Sequence, residues 1–165
     1  MAEIVKNQDT RRVFVETLNE LAENDPNIIV VIPDVGFNYL DDPKNKFKTI
    51  NLGVTEASSV IIASALALSG FSVWVYSMIN FVLFRPYEMV RNAICLHNAN
   101  VKLVGVKGSE KYKFLGFSHN LLHEEEDINV CKNIGLDYYI PQSLSEVRDT
   151  IIKSYNNKKA AYIRL

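Results

Sequence analysis

The chain has 165 residues, of which 48% are hydrophobic and 22% charged, and this composition is typical of one globular domain. Its formal net charge of −1 leaves no excess of Lys and Arg to bind a phosphate backbone, so nucleic acid is not an expected partner. No apolar run is long enough to span a bilayer and no secretory apolar segment opens the chain, so we expect no membrane association and a cytoplasmic protein. Cys95 and Cys131 have no paired spacing and are expected to be small hydrophobic core residues.

Short apolar runs alternate with helical patterns along the chain. In chain order, the first half of the sequence predicts a helix from Thr10 to about Asn24, a strand over Ile28–Ile32, a polar loop over 33–46, a strand over Thr49–Leu52, a helix over Thr55–Ser69 and a strand over Phe71–Tyr76. The second half predicts a helix over Arg85–His97, a strand over Val101–Val106, a loop over 107–121 and a helix over Glu124–Asn133. The chain then continues with a predicted strand over Tyr138–Ile140, a helix over Ser143–Tyr155 and a strand over Ala160–Arg164. Thr10 and Ser143 are the expected N-caps, Gly70 fits the C′ position of its helix, and Pro86 fits a first helical turn.

This alternation predicts a single α/β domain over residues 1–165. The expected architecture is a three-layer sandwich, in which a mostly parallel six-stranded sheet carries helices on both faces. Ligands of such sheets bind beyond the carboxyl ends of the strands, so residues that directly follow strands are the candidates for chemistry.

The stretch Asn51-Leu52-Gly53-Val54-Thr55-Glu56-Ala57 joins the end of a predicted strand to the start of a helix. The helix beyond it, over 57–69, contains no charged residue, and a helix without a polar face is expected to be buried. A carboxylate at the entrance of such a helix needs a partner or stays protonated. The alternative is that Glu56 only interacts with the helix dipole.

A second informative stretch runs from Ser77 to Asn92, again between a strand and a helix. It places the aromatic residues Phe81, Phe84 and Tyr87 close to Arg85 and Arg91. The alternative interpretation is a core aromatic stripe with two surface arginines.

Together these segments resemble the pyrimidine-binding domain of the transketolase and deoxyxylulose-phosphate synthase superfamily. The turn over 51–57 is similar to the family's Asn-x-Gly-Ile-Ala-Glu-Gln, although Ala57 replaces the Gln. The run Arg85-Pro86-Tyr87-Glu88-Met89-Val90-Arg91-Asn92 resembles its Arg-x-aromatic-Glu-Gln-x-Arg-Asn helix. Further similar segments follow in the family's order: Asn100–Val104, Gly116–Asn120, Glu126–Ile128 and Ala161–Arg164.

The resemblance implies roles for seven residues. Glu56 matches the glutamate that contacts the aminopyrimidine of thiamine diphosphate and promotes activation of its thiazolium ring. Phe81 matches the aromatic residue that stacks on the pyrimidine, with Phe84 and Met78 on the same wall of the pocket. Asp34 is expected near the thiazolium. His119 and Arg85 are expected to bind substrate, with His119 also catalytic; the alternative for His119 is an ordinary loop histidine, and His97 and His123 are expected to be structural or on the surface.

The family's Gly-Asp-Gly…Asn motif, which holds the diphosphate and its metal, has no counterpart in the sequence. The resemblance therefore implies a diphosphate-binding partner subunit that holds Mg²⁺ or Ca²⁺, an α2β2 assembly and a homodimer contact. The initial Met and the complete first and last elements favour a naturally short subunit, and an excised domain is the alternative.

The resemblance implies the small subunit of a split transketolase-like enzyme that transfers two-carbon units between sugars. Three alternatives stay open: a subunit of a keto-acid decarboxylase or dehydrogenase, a deoxyxylulose-phosphate-synthase-like enzyme, and a non-catalytic regulatory subunit. The sequence does not indicate the donor or acceptor sugar.

Overall fold

The computed structural model describes residues 9–36, 39–108 and 110–165, with the backbone only for residues 110 and 111. Its centre is one six-stranded sheet. The strands are β1 (Ile28–Ile32), β2 (Lys48–Asn51), β3 (Ser72–Met78), β4 (Val101–Val106), β5 (Asp137–Tyr139) and β6 (Ala161–Arg164). They lie in the order β2-β1-β3-β4-β6-β5, and every neighbouring pair is parallel. The predicted parallel α/β sheet is therefore confirmed.

Helices cover both faces of the sheet and complete the three layers. On one face, α1 (Thr10–Ala22) packs against α5 (Leu144–Asn157). The other face carries α2 (Glu56–Leu68), a helical stretch over 80–95 and α4 (Glu126–Ile134). Each face has its own apolar core, one around Phe14 and Trp74 and the other around Val75 and Leu103.

The helix ends follow the predicted capping chemistry with one correction. Ser143 caps α5, and its hydroxyl accepts a hydrogen bond from the Glu146 amide. The cap of α1 is Asp9, not Thr10, because the Asp9 carboxylate accepts from the Arg11 amide at 3.0 Å. Gly70 follows α2 with a φ of 100°, a left-handed conformation that glycine adopts without strain.

The helical stretch after β3 begins earlier than predicted. It opens as a π-helix over Asn80–Phe84, continues as a short α-helix, α3 (Tyr87–Met89), and returns to π-helix over Val90–Cys95. Pro86 lies inside this stretch and not in a first turn as predicted. Proline has no amide hydrogen and its ring crowds the preceding turn, so a regular α-helical ladder cannot pass through it. Arg85 lies between the first π-helical turns and α3, immediately before Pro86.

The prediction that the helix after Glu56 is buried all round is wrong. Four of its side chains, Ala57, Ile61, Ala65 and Leu68, form an exposed face, and Val54 just before the helix extends it; these five residues are here called the α2 stripe. Val54 is 67% exposed, Ile61 49% and Leu68 61%. The spacing of three and four residues from Ala57 to Leu68 places these four along one side of the helix, while Val60 and Ala63 on the other side reach the core. The α2 stripe is therefore a solvent-exposed surface without charged side chains.

The segment after β4 is also more regular than the predicted loop. Residues Glu110–Ser118 form 3₁₀-helical turns, interrupted at Gly116, whose φ is 64°. Phe114 and Phe117 on this segment are 81% and 71% exposed. These turns carry the chain to His119 at the edge of the candidate site.

Two of the motifs singled out in the sequence meet in a buried network. Asp127 and Tyr162 are fully buried, and the Tyr162 hydroxyl donates to Asp127 Oδ2 at 2.6 Å. Arg164 donates to both carboxylate oxygens, at 2.9 and 2.6 Å. Burial, together with the charge of Asp127, raises the pKa of Tyr162, which stays a neutral donor. These residues join α4 to β6, so the two motifs serve the fold.

The described residues contain no helix long and apolar enough to cross a membrane.

Cys131 is buried and Cys95 partly buried, and burial raises the pKa of the Cys131 thiol to about 12. Cys131 therefore acts as a small core residue, as the sequence predicts, and not as a nucleophile.

Candidate functional site

The turn that presents Glu56 is fixed by one asparagine side chain. Asn51 Oδ1 accepts hydrogen bonds from the amides of Asp34 at 3.1 Å and Gly53 at 3.0 Å. Gly53 has a φ of 71°, which a residue with a Cβ rarely adopts. The ends of β1 and β2 are thereby tied together, and Glu56 becomes the first residue of α2 at the carboxyl edge of the sheet.

Glu56 is nearly covered and has one charged partner. Its side chain is 9% exposed, and its Oε1 lies 2.5 Å from Arg85 Nη1. The sequence suggested either a charged partner or an interaction with the helix dipole for this carboxylate. The structure gives it both, because it lies in the first turn of a helix and also pairs with a positive charge. Arg85 is half exposed, so the pair is open to solvent on one side.

Phe81 joins this pair to the loop that carries His119. The Arg85 guanidinium carbon lies 4.1 Å from the centre of the Phe81 ring. His119 approaches the same ring edge-on, with 4.9 Å between centroids and an interplanar angle of 79°. Asn80 Nδ2 donates to the Phe117 carbonyl at 2.9 Å, which holds the 3₁₀ segment against the start of the helical stretch.

A close backbone approach also positions His119. A Cβ on Gly108 would lie 2.1 Å from the His119 carbonyl oxygen, so only glycine fits there. The His119 Nδ1 is 2.7 Å from the Ser118 hydroxyl. These contacts place His119 against Ser118, Gly108 and the Phe81 ring.

A cavity of about 460 Å³ opens beyond the ends of β1, β3 and β4. Asp34, Met78, Phe81 and His119, four of the predicted residues, line it. Asp34 is exposed and has a φ of 59°, a conformation that aspartate tolerates better than most residues. Phe84 is not among the lining residues and packs against the core behind the pocket. Glu56 and Arg85 are not among the lining residues either; Arg85 contacts both Glu56 and Phe81, and Phe81 lines the cavity.

Several residues of this cavity were not predicted from the sequence. Arg11 and Tyr39 line it, and both bind the Asp9 carboxylate: Arg11 Nε lies 2.7 Å from Oδ1 and the Tyr39 hydroxyl donates to Oδ2 at 2.9 Å. Nothing in their local sequence marks them, because they come from α1 and from the loop after β1. Ser77 also lines the cavity; it is fully buried, and its hydroxyl has no hydrogen-bond partner among the residues that the structure describes. Its position at the end of a strand was the available signal.

A second cavity, of about 810 Å³, adjoins the first. The two share Arg11, Val106 and Tyr112 as lining residues. The charged groups of the larger cavity include Lys107 and Glu124, which form an ion pair at 2.6 Å. The smaller cavity is lined by four of the seven predicted residues, so it is the better candidate for the reacting centre.

The side chains present fit an aminopyrimidine. Glu56 offers a carboxylate to a ring nitrogen and Phe81 offers a ring on which a flat heterocycle can stack. The guanidinium of Arg85, a planar nitrogen donor, already contacts both groups. Ser77, with its unsatisfied buried hydroxyl, provides a further polar contact in the same cavity. Within the described part of the chain, no group of three or more His, Cys, Asp or Glu side chains is arranged to hold a metal ion.

Comparison with known proteins places the whole chain in one family. The family model described as "Transketolase, pyrimidine binding domain" matches residues 6–165. A subunit of the apulose-4-phosphate transketolase of Phocaeicola vulgatus is 30% identical over 159 residues, which cover 94% of this chain and 50% of that protein. The 6-deoxy-6-sulfo-D-fructose transketolase subunit SqwH of a Clostridium species is 25% identical over 162 residues, covering 94% and 48%.

A solved structure shows the same fold. The chain described as "Split gene transketolase, inactive beta4 tetramer" superposes with a TM-score of 0.79 at 23% identity, over 94% of this chain and 50% of the other. The chain thus spans about half the length of the curated relatives it matches. Because the family model matches residues 6–165, the chain belongs to the transketolase pyrimidine-binding domain family.

Proposed function

We propose that this chain is the pyrimidine-binding subunit of a split, thiamine-diphosphate-dependent transketolase, and that Glu56 activates the cofactor. The observation that carries the proposal is the placement of Glu56. Its carboxylate is nearly covered, opens a helix at the carboxyl edge of the sheet, and faces a planar nitrogen donor that lies over Phe81.

Different residues of this chain would contact different parts of the aminopyrimidine. Glu56 Oε1 is the atom that would share a proton with the ring nitrogen, and Phe81 would pack against the ring face. Met78 and Asp34 would line the cavity on the thiazolium side, while Phe84 would support Phe81 from the core. When bound, thiamine diphosphate supplies the thiazolium carbon that carries a two-carbon unit from one sugar to another.

His119 and Arg85 are the proposed contacts to the substrate. His119 can donate to or accept from a sugar hydroxyl or a carbonyl oxygen, and it is held at the edge of Phe81. Arg85 can bind an anionic group because half of its side chain is exposed. Two relatives are named for a phosphorylated ketose and a sulfonated ketose. These names support a ketose with an anionic group as the substrate class.

The cofactor's diphosphate and its Mg²⁺ or Ca²⁺ would be held by a second subunit. The Phocaeicola vulgatus relative is named as one subunit of its transketolase, which supports such a division of the enzyme. In this chain the α2 stripe begins beside Glu56 and lies open to water. A diphosphate-binding subunit docked on the stripe would thus also reach the cofactor, in an α2β2 assembly with contact between two copies of this chain.

The test is to reconstitute the chain with the diphosphate-binding subunit encoded beside it, and to compare two variants. We expect no two-carbon transfer by either chain alone, and transfer after mixing with thiamine diphosphate and Mg²⁺. Glu56→Gln should lower kcat in the mixture by about 10²–10⁴-fold, because its amide cannot exchange the proton. The control is Glu88→Gln, an exposed glutamate on α3, which should change nothing.

Full activity of the Glu56→Gln variant would refute the catalytic role. A mixture that acts on keto acids but not on ketoses would move the function to a decarboxylase or dehydrogenase. A mixture with no activity on either class, and no change in cofactor affinity on adding this chain, would indicate a regulatory subunit.

A further inference from the structure

Arg85 makes two contacts at once in the site. Its Nη1 lies 2.5 Å from Glu56 Oε1, and its guanidinium carbon lies 4.1 Å from the centre of the Phe81 ring. In the proposed function the same two groups bind the aminopyrimidine: Glu56 contacts its ring nitrogen, and Phe81 packs against its ring face.

A guanidinium and an aminopyrimidine share the chemistry that these contacts select. Each is flat, each presents nitrogen to a carboxylate through an N–C–N unit, and each stacks on an aromatic ring. A side chain that satisfies both Glu56 and Phe81 therefore covers the surface that the aminopyrimidine would use.

The free subunit needs such an occupant because of the burial of Glu56. A carboxylate that is only 9% exposed is unfavourable without a counter-charge or a hydrogen-bond donor. Within the described residues, Arg85 is the ion-pair partner that the structure gives it. Arg85 is half exposed, and its long side chain can turn towards solvent without a change in the backbone.

We infer that Arg85 is a placeholder for the aminopyrimidine: it occupies Glu56 and Phe81 in the cofactor-free subunit and must leave both when the cofactor binds. This inference rests on the proposed function. It adds that Arg85 positions and neutralises Glu56 before assembly, and that its release frees the guanidinium for the anionic group of the substrate.

A placeholder has a consequence that a merely structural residue lacks. A ligand that must displace an internal group binds with an affinity reduced by the fraction of sites left open. Removing the placeholder should thus tighten cofactor binding while it lowers the stability of the cofactor-free chain. Loss of an ordinary structural contact would lower stability without tightening binding.

The first experiment measures thiamine diphosphate binding to the reconstituted pair by calorimetry in the presence of Mg²⁺. We expect Arg85→Met to bind the cofactor about tenfold more tightly than the wild type. Methionine keeps an unbranched apolar side chain against Phe81 and removes the charge. The matched control is Arg91→Met, an exposed arginine on the same helical stretch, which should leave the affinity unchanged.

Equal or weaker binding by Arg85→Met, with normal binding by the wild type, would overturn the placeholder and leave the proposed function standing. Absence of cofactor binding by the wild-type pair as well would refute the proposed function itself. The two failures are therefore distinguishable.

The second experiment needs neither partner nor cofactor. Urea unfolding of the chain alone is compared for Glu56→Gln, Arg85→Met and the double variant. We expect the effects of the two substitutions on the unfolding equilibrium constant to be coupled by about threefold or more, because each removes the same ion pair. Additive effects would show that the contact is absent from the free chain, and would overturn the inference.

Discussion

Glu56 and Arg85 are 29 positions apart in the chain, and their contact could not be read from the sequence. Local pattern showed that a carboxylate opens an apolar helix and needs a partner. It did not show which side chain would supply one, because that depends on how α2 and the helical stretch after β3 pack on the sheet. The same limit applies to Arg11 and Tyr39, which reach the cavity from elements far from the recognised motifs.

Lys102 is a residue whose ionisation is changed by its buried environment. It lies in the central strand β4, is fully buried, and donates to the Asn100 side chain. Burial lowers its pKa from 10.5 to about 8, because water is no longer available to solvate the charge. A shift of that size corresponds to at most about 3 kcal/mol of unfavourable free energy, with the amine charged in both states.

The sign of the effect follows from proton counts. Below about pH 8 the amine is protonated in the folded and unfolded chains, and the full destabilisation is present. Between about pH 8 and pH 10.5 the unfolded chain holds more protons than the folded one, so the free energy of unfolding rises with pH.

We predict that Lys102→Met stabilises the protein at pH 7 by about 2 kcal/mol and removes the rise in stability above pH 8. The measurement is urea unfolding at several values between pH 7 and pH 9.5, below the titration of most tyrosines. Lys48→Met, at an exposed position on an edge strand, is the control and should keep the wild-type slope. A Lys102→Met variant with an unchanged slope would contradict the assigned cause.

At the scale of secondary structure, the strands were the easiest elements to predict. Ile28–Ile32 and Val101–Val106 were predicted with their observed bounds. The first is a continuous apolar run, which is typical of a strand buried on both faces, and the second is apolar apart from Lys102 and Gly105. The helical stretch over 80–95 was predicted only in its second half. Its first turns are π-helical and follow β3 directly, and a 3.6-residue period does not detect them.

The network between α4 and β6 explains two motifs that the family resemblance marked without giving them a role. Asp127 lies on α4, and Tyr162 and Arg164 lie on β6, the fifth strand in the sheet order. The ion pair and hydrogen bonds are almost fully shielded from water. Arg164 also pairs with Glu124 at 2.9 Å, but the Glu124 side chain is 67% exposed. Removal of Asp127 would leave the buried guanidinium without its buried counter-charge and the Tyr162 hydroxyl without its acceptor, which is more costly than loss of the attraction alone.

We predict that Asp127→Ala lowers the free energy of unfolding by about 3–5 kcal/mol, because Arg164 keeps its charge in a buried site. Chemical denaturation followed by circular dichroism measures this loss. Asp149→Ala, an exposed aspartate on α5, should change stability by less than about 0.5 kcal/mol. If both variants behaved alike, the network would not stabilise the junction of α4 and β6.

At the scale of the whole molecule, the sheet gathers one end of each strand into a single edge, and this arrangement was predictable. The sequence predicted that Asp34 and Met78 directly follow strands, and the parallel sheet brings both positions to its carboxyl edge. The error concerned α2. A helix with no charged residue was expected to be buried by its own chain, whereas the five residues of the α2 stripe face water. Sequence alone does not distinguish burial within a chain from burial against another one.

We predict that Ile61→Glu prevents assembly with the diphosphate-binding subunit, because a carboxylate would then lie in the centre of the α2 stripe. Analytical ultracentrifugation of the mixture should show separate components where the wild type forms a larger complex. Ser145→Glu, on the opposite face of the sheet and in the first turn of α5, is the control and should assemble normally. Persistence of the complex with Ile61→Glu would mean that the partner binds elsewhere.

The α2 stripe also sets a condition on how such a polypeptide can be produced in a cell. A copy without a partner exposes the apolar α2 stripe, and chaperones and proteases recognise surfaces of this kind. Surplus copies would cluster with one another or be degraded. In the proposed assembly, synthesis of the two polypeptides would therefore have to be kept in balance, and a change in the dosage of one would alter the lifetime of the other.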